Sequence, residues 1–298
     1  MNYRGRFAPS PSGPLHFGSL VAAMGSYLDA RSRQGKWLIR IENIDPPREV
    51  TGASGKILRT LESLGFEWDE PVLYQSTRHA AYLEAIDTLQ NKALLYECCC
   101  SRSEIQERGR VGAEGVIYPG TCRTRVKLPS AKGSGRRHAL RLITHDQTVS
   151  FTDGIRGILN QNIVREIGDF IIKRADGHFA YQLAVVVDDA YQGITDVVRG
   201  ADLLTSTPRQ IYLQRLLGLP TPSYKHLPLV TDTSGRKLSK QHRSDPINAA
   251  APVVALLAAL KFLNQPLPPE TPDTVAEFWT WAIAQWNHSL INSNNYNN

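Results

Sequence analysis

Along the first forty-five residues the hydrophobic pattern changes period twice. Residues 3–7 form a short run with strand character, and Pro9, Pro11 and Pro14 stop it, because a fixed φ and a missing N–H cannot continue a ladder. From 18 to about 33, Leu20, Val21, Met24, Tyr27 and Leu28 recur at helical spacing, and 37–41 then reads as a second strand. Strand, helix and strand in so short a stretch predict a parallel pair with a right-handed crossover. The loop around His16 then falls at the carboxyl end of the first strand, where doubly wound sheets bind ligands.

Farther along, 55–64 and 80–95 have helical periodicity, and 140–143 and 148–151 read as short strands. The segment 98–139 breaks the pattern with cysteines, glycines and a basic run that includes Lys127, Lys132, Arg136 and Arg137, and is expected to be an inserted, partly irregular subdomain. Residues 170–174, a turn at Gly177 and the nearly continuous apolar run 179–187 predict a hairpin of strands with a buried second member. Two helices are expected at 253–263 and 273–286, joined by a proline-rich QPLPPETP and followed by an asparagine-rich tail expected to be disordered. No internal repeat is visible.

Composition narrows the class. With 298 residues, of which 42% are hydrophobic and 21% charged, the chain can bury a sizeable core, so a disulfide miniprotein and bulk disorder are both excluded. The length suits a main domain at 1–245 and a short helical C-terminal region at 246–298. The net charge of +6 is a hint of a polyanionic partner. No signal-peptide pattern opens the chain and no apolar run reaches the roughly 18 residues of a membrane span, so a cytoplasmic protein without membrane contact is expected. A monomer is expected as well.

Three segments carry candidate chemistry. Pro14-Leu15-His16-Phe17-Gly18-Ser19 enters the first helix, where backbone N–H groups and the helix dipole favour phosphate, and His16 can donate to its oxygens. By itself such a histidine is more often a cap. Lys237-Leu238-Ser239-Lys240-Gln241 places two lysines three apart, able to reach one phosphate together, although an isolated pair of this kind is usually a solvated loop. The four cysteines all lie between Cys98 and Cys122, too unevenly spaced for a disulfide framework; Cys98, Cys100 and Cys122 can converge on zinc while Cys99 faces the other way. The residues alone leave the fourth position open to His138, His145, water or Tyr118.

Taken together, the PLHFGS turn and the KLSK loop resemble the two signatures of class I aminoacyl-tRNA synthetases. Three further stretches narrow that resemblance to the glutamyl group: Arg6-Phe7-Ala8-Pro9-Ser10-Pro11-Ser12-Gly13, Arg40-Ile41-Glu42-Asn43-Ile44-Asp45, and Val198-Arg199-Gly200-Ala201-Asp202 followed by Ser206-Thr207-Pro208-Arg209-Gln210. The motifs span residues 6 to 241. The resemblance implies an α/β fold, with a Rossmann-like doubly wound catalytic domain, an inserted zinc-binding subdomain and a short helical C-terminal cap. It implies a glutamate pocket of Arg6, Ala8, Ser10, Glu42, Tyr181 and Arg199, and a site for ATP with Mg2+ at His16, Gly18, Ser19, Lys237, Ser239 and Lys240, with His16 and Lys240 catalytic. Glutamate chemistry agrees: two carboxylates want guanidiniums and an ammonium wants a carboxylate such as Glu42. Asn43 departs from the family's usual aspartate and leaves the role of Glu42 intact.

The spacing Cys98-x-Cys100 and Tyr118-x-x-x-Cys122 is similar to the structural zinc site of short paralogues in this group, and that likeness assigns Tyr118 as the fourth ligand. Only residues 246–298 follow the KLSK region, so no helical anticodon-reading domain is expected. The short paralogues imply a different acceptor, the queuosine base of tRNA(Asp), met through a basic surface that includes Lys127, Arg136 and Arg137. The alternatives are a truncated synthetase charging tRNA(Glu) and a non-catalytic, zinc-stabilised RNA-binding protein.

Overall fold

The computed structural model describes residues 2–112, 115–123, 137–230, 247 and 250–291. The KLSK loop, Lys127, Lys132, Arg136 and the tail at 292–298 lie outside these residues. Strand β1 (Arg4–Phe7) leads through the proline loop into helix α1 (Phe17–Arg31) and back to β2 (Lys36–Ile41), which pairs with β1 in parallel, Arg6 opposite Leu38. Helix α2 (Ala53–Ser63) and β3 (Leu73–Tyr74) continue the parallel order outward on the same side. Helix α3 (His79–Asn91) then leads to β4 (Leu95–Cys98). The expected helix over 80–95 thus ends early, because Ala93 turns the chain at φ 54° with no glycine or proline to announce it.

The thiol-bearing segment follows as α4 (Arg102–Arg108), β5 (Arg110–Gly112) and β6 (Gly115–Ile117). Next come β7 (Ala139–Leu142), the hairpin β8 (Thr148–Asp153) and β9 (Gly157–Asn162), and β10 (Phe170–Lys173). Strands β10, β7 and β4 form an antiparallel sheet in that order.

Here the predicted hairpin fails. Gly177 does turn the chain, at φ 94°, but after a single bridge between Lys173 and Phe179 the apolar run winds into α5 (Tyr181–Tyr191). Leu183, Ala184, Val185 and Val186 are all buried, so burial on several faces of a helix produces the continuous apolar text that a buried strand would also show.

The chain returns to the main sheet with β11 (Asp196–Gly200), α6 (Thr207–Leu217) and β12 (Ser223–Leu227), and ends with α7 (Pro252–Phe262) and α8 (Val275–Gln285). The Thr195 N–H donates to the Arg4 carbonyl at 3.0 Å, which sets β11 beside β1; β12 and β8 follow in parallel. Strand order therefore runs outward from β1 in both directions, a doubly wound arrangement whose reversal lies between β1 and β11.

Helix α1 is buried on most of its circumference, between this sheet and the C-terminal helices. A Cβ on Gly25 would come within 2.6 Å of Leu227 Cδ1, so the missing side chain lets α1 approach β12. Tyr27 packs edge-on against Trp37 and Trp279, with centroids 5.0 and 4.7 Å away, and Trp279 Nε1 donates to the Leu64 carbonyl at 2.9 Å. The two C-terminal helices thus share the core of the first βαβ unit. Among the described residues no helix is long and apolar enough to cross a membrane.

Candidate active site

The carboxyl ends of β1, β2 and β11 deliver Arg6, Glu42 and Arg199 to the reversal point, and helix α1 begins beside them. They line one cavity of about 620 Å³, in the range of small-ligand sites. Ala8, Ser10, His16, Gly18, Ser19 and Tyr181 line it too. Every described residue that the sequence assigned to glutamate or ATP therefore faces one space.

His16 is the N-cap of α1, and its Nδ1 accepts from the Ser19 backbone N–H at 3.3 Å. With Nδ1 an acceptor, the neutral ring carries its proton on Nε2 and can donate from there. Capping and ligand binding, which compete as readings of the sequence, are compatible in one side chain. Gly18 works through His16: a Cβ there would sit 3.2 Å from the imidazole Cε1, so its absence makes room for the ring against the helix.

Beneath the cavity lies a buried charge network. Asp189 of α5 accepts through Oδ1 from Arg40 Nη1 at 2.7 Å and Arg6 Nε at 3.1 Å; Arg40 also donates to Gln192 at 2.9 Å and meets Glu42 at 3.3 Å. Arg40 has no solvent exposure at all. Burial would raise the Asp189 carboxyl, but Arg6 and Arg40 outweigh it and hold the group below its ordinary value. For Glu42 burial prevails over Arg40 and Arg6, so its carboxyl is shifted upward. No motif points to Asp189; its one signal is a pair of aspartates, Asp188-Asp189, directly after the apolar run 183–187.

Arg199 is held from three directions. Its Nε donates to His226 Nε2 at 3.1 Å, and its Nη2 to Thr207 Oγ1 at 2.8 Å and the Leu203 carbonyl at 3.2 Å, while Nη1 lies 3.5 Å from the Tyr181 hydroxyl. Arg6, Arg48 and Arg199 line the cavity with Glu42 and Asp202, and Arg40 pairs with Asp189 beneath it, one positive charge in excess, which suits a ligand with a carboxylate to spare beyond one ammonium.

The thiols gather elsewhere. Cys98, Cys100 and Cys122 bring their sulfurs within 4.8 Å of one another, and the Tyr118 hydroxyl lies 3.4 Å from Cys98 Sγ and 3.6 Å from Cys100 Sγ. Ligands about 2.3 Å from a tetrahedral ion stand about 3.8 Å apart, so the spacing and donor set fit zinc. Cys99 is not in this group, and His138 pairs instead with Glu97 at 2.9 Å.

Comparison with known proteins agrees with this geometry. A family model described as tRNA synthetases class I (E and Q), catalytic domain, matches residues 2–250, and the chain belongs to that family. Its relatives include two proteins named glutamyl-Q tRNA(Asp) synthetase. One, from Neisseria meningitidis serogroup C (strain 053442), is 52% identical over 289 residues, 97% of either chain; the other, from Dechloromonas aromatica (strain RCB), is 52% identical over 292 residues, covering 97% of this chain and 95% of that one. The fold is also similar to the crystal structure of a glutamate tRNA ligase from Elizabethkingia meningosepticum CCUG26117 in complex with its amino acid, with a TM-score of 0.80 at 24% identity, covering 98% of this chain but 66% of the ligase.

Proposed function

We propose that the chain activates L-glutamate with ATP and transfers it to the queuosine base of tRNA(Asp). The observation that carries this reading is the single cavity in which a carboxylate-binding pair of arginines, an ammonium partner and a capped helix N-terminus come together. The names of the half-identical relatives support the acceptor.

In the first step an oxygen of the glutamate α-carboxylate attacks the α-phosphorus of ATP, the bond from that phosphorus to the bridging oxygen breaks, and pyrophosphate leaves. Arg6 and Arg199 hold carboxylate, Glu42 holds the ammonium, and Ser10, Tyr181 and the backbone at Ala8 orient the substrate. His16 donates to the phosphates from Nε2, and Gly18 and Ser19 open the helix end to them. Lys237, Ser239 and Lys240 complete the phosphate site on the strength of their motif. Mg2+ arrives with ATP and neutralises phosphate charge. In the second step a hydroxyl of the queuosine cyclopentenediol attacks the acyl carbon, its proton passes to water, and AMP leaves behind an ester. Cys98, Cys100, Cys122 and Tyr118 would hold a structural zinc, all four positions being filled by protein.

Pyrophosphate exchange measured with each amino acid in turn, in the presence and absence of tRNA, tests the activation step. Exchange that depends on glutamate supports the reading. Exchange with a different amino acid overturns the assignment to glutamate, and no exchange with folded protein overturns activation in favour of a binding protein.

A further inference from the structure

We infer that His226 is the positioning residue for Arg199, a neutral imidazole clamped by Asp153 that aims the guanidinium at the substrate carboxylate without cancelling its charge. The inference rests on the proposed role of Arg199 in binding glutamate. Three neighbouring parallel strands build the relay: Arg199 on β11 is the register partner of His226 on β12, and Tyr224, two residues before His226, is opposite Asp153 at the end of β8. His226 Nδ1 lies 2.6 Å from Asp153 Oδ2, and both residues are essentially without exposure. Asp153 is itself fixed, since its Oδ1 accepts the backbone N–H groups of Ile155 at 3.0 Å and Arg156 at 2.9 Å.

The tautomer follows from the partners. A guanidinium Nε can only donate, so His226 Nε2, 3.1 Å from Arg199 Nε, must be the acceptor, and Nδ1 carries the proton toward Asp153. Burial, which pushes His226 down to about 4, keeps the ring neutral around pH 7. A carboxylate in the place of His226 would orient Arg199 equally well but would neutralise it. With Nε held by His226 and Nη2 by Thr207 and Leu203, the edge of the guanidinium bearing Nη1 is turned toward Tyr181 and the cavity. The imidazole touches no substrate in this account; it acts through Arg199.

Two isosteres separate positioning from simple support. Asparagine at 226 keeps a donor near the Nδ1 position for Asp153 and removes the acceptor for Arg199; glutamine offers an oxygen near the Nε2 position. In the full chain, His226→Asn should weaken glutamate binding about tenfold, read as calorimetric Kd and as KM in transfer to queuosine-bearing tRNA(Asp), while KM for ATP stays unchanged and preference for glutamate over glutamine falls. His226→Gln should recover most of that loss. Unchanged glutamate Kd in His226→Asn, or equal damage in both variants extending to ATP, overturns the inference. Arg199→Lys is the control: if it leaves glutamate Kd unaltered, the reading of Arg199 is itself wrong, whereas an effect there with none in His226→Asn refutes only the relay. Nitrogen-15 NMR of the unmodified protein needs no variant to fold: a protonated Nδ1 and bare Nε2 support the relay, and the opposite tautomer overturns it.

Discussion

In the cavity at the strand reversal, Arg6 of β1 meets Asp189 of α5, 183 positions away, and Arg40 of β2 meets the same carboxylate; in the thiol cluster every contributing residue lies between Cys98 and Cys122. The first site exists only when the doubly wound sheet has closed, and its charges are buried with it. The second gathers residues close in sequence, with the Cys122 N–H donating to the Tyr118 hydroxyl at 2.8 Å, and meets the rest of the fold at its edge, where Cys98 ends β4 opposite Ala139 and Arg141 lies over the Tyr118 ring. Damage to the cavity's network should therefore spread to global stability, while damage to the cluster should stay where it is.

Asp189→Ala is the largest test of that contrast. It strands Arg6 and Arg40 in the interior, and loss of one partner from a buried ion pair costs about 3–5 kcal/mol, measurable by denaturant unfolding. A cost below 1 kcal/mol would break the link between cavity charge and fold. Acid titration should show a comparable effect. His226 is lowered from about 6.5 to about 4, so the stability it contributes is complete above about pH 6.5 and lost as pH falls toward 4, about 3 kcal/mol over that window. The stability difference between the unmodified protein and His226→Gln should shrink across the same window; a difference independent of pH contradicts the buried neutral histidine. Glu42 has the opposite sign, since its raised carboxyl binds its proton more readily in the folded state and gains stability on acidification.

Lys240→Ala should lower kcat about a hundredfold, the scale for one preorganised charge donor, with glutamate Kd unaltered; near-normal kcat removes Lys240 from catalysis. The smallest global effect belongs to the thiols. Cys98→Ser and Cys122→Ser should lose bound zinc and Cys99→Ser should keep it, with faster hydrogen exchange confined to the cluster and glutamate binding preserved. Full zinc content in the first two refutes the ligand set, and collapse of the cavity refutes the locality.

The same contrast explains what could be read from sequence. The unit from β1 to β2 was legible because prolines, a helical repeat and a second apolar run mark it within forty-one residues. Local spacing likewise brought Cys98, Cys100 and Cys122 together, whereas Tyr118 joined them only through the likeness to the short paralogues. Arg6, Glu42 and Arg199 were recognisable from flanking motifs, but their shared partner Asp189 was not, since no local pattern records a pairing across 183 positions. Residues 179–187 misled for a physical reason: three consecutive valines favour strands, yet α5 buries Val185 and Val186 and half-buries Val187, and tertiary packing overrides propensity. His226 reads as ordinary strand text until Asp153 and Arg199 stand on either side of it.

If the cavity's glutamate goes to queuosine in tRNA(Asp), transfer of labelled glutamate to tRNA(Asp) with and without queuosine, to tRNA(Asp) lacking its 3′-terminal adenosine, and to tRNA(Glu) separates the acceptors. Labelling that requires queuosine and survives removal of the 3′ adenosine is the expected result; efficient charging of tRNA(Glu), with no dependence on queuosine, would contradict it.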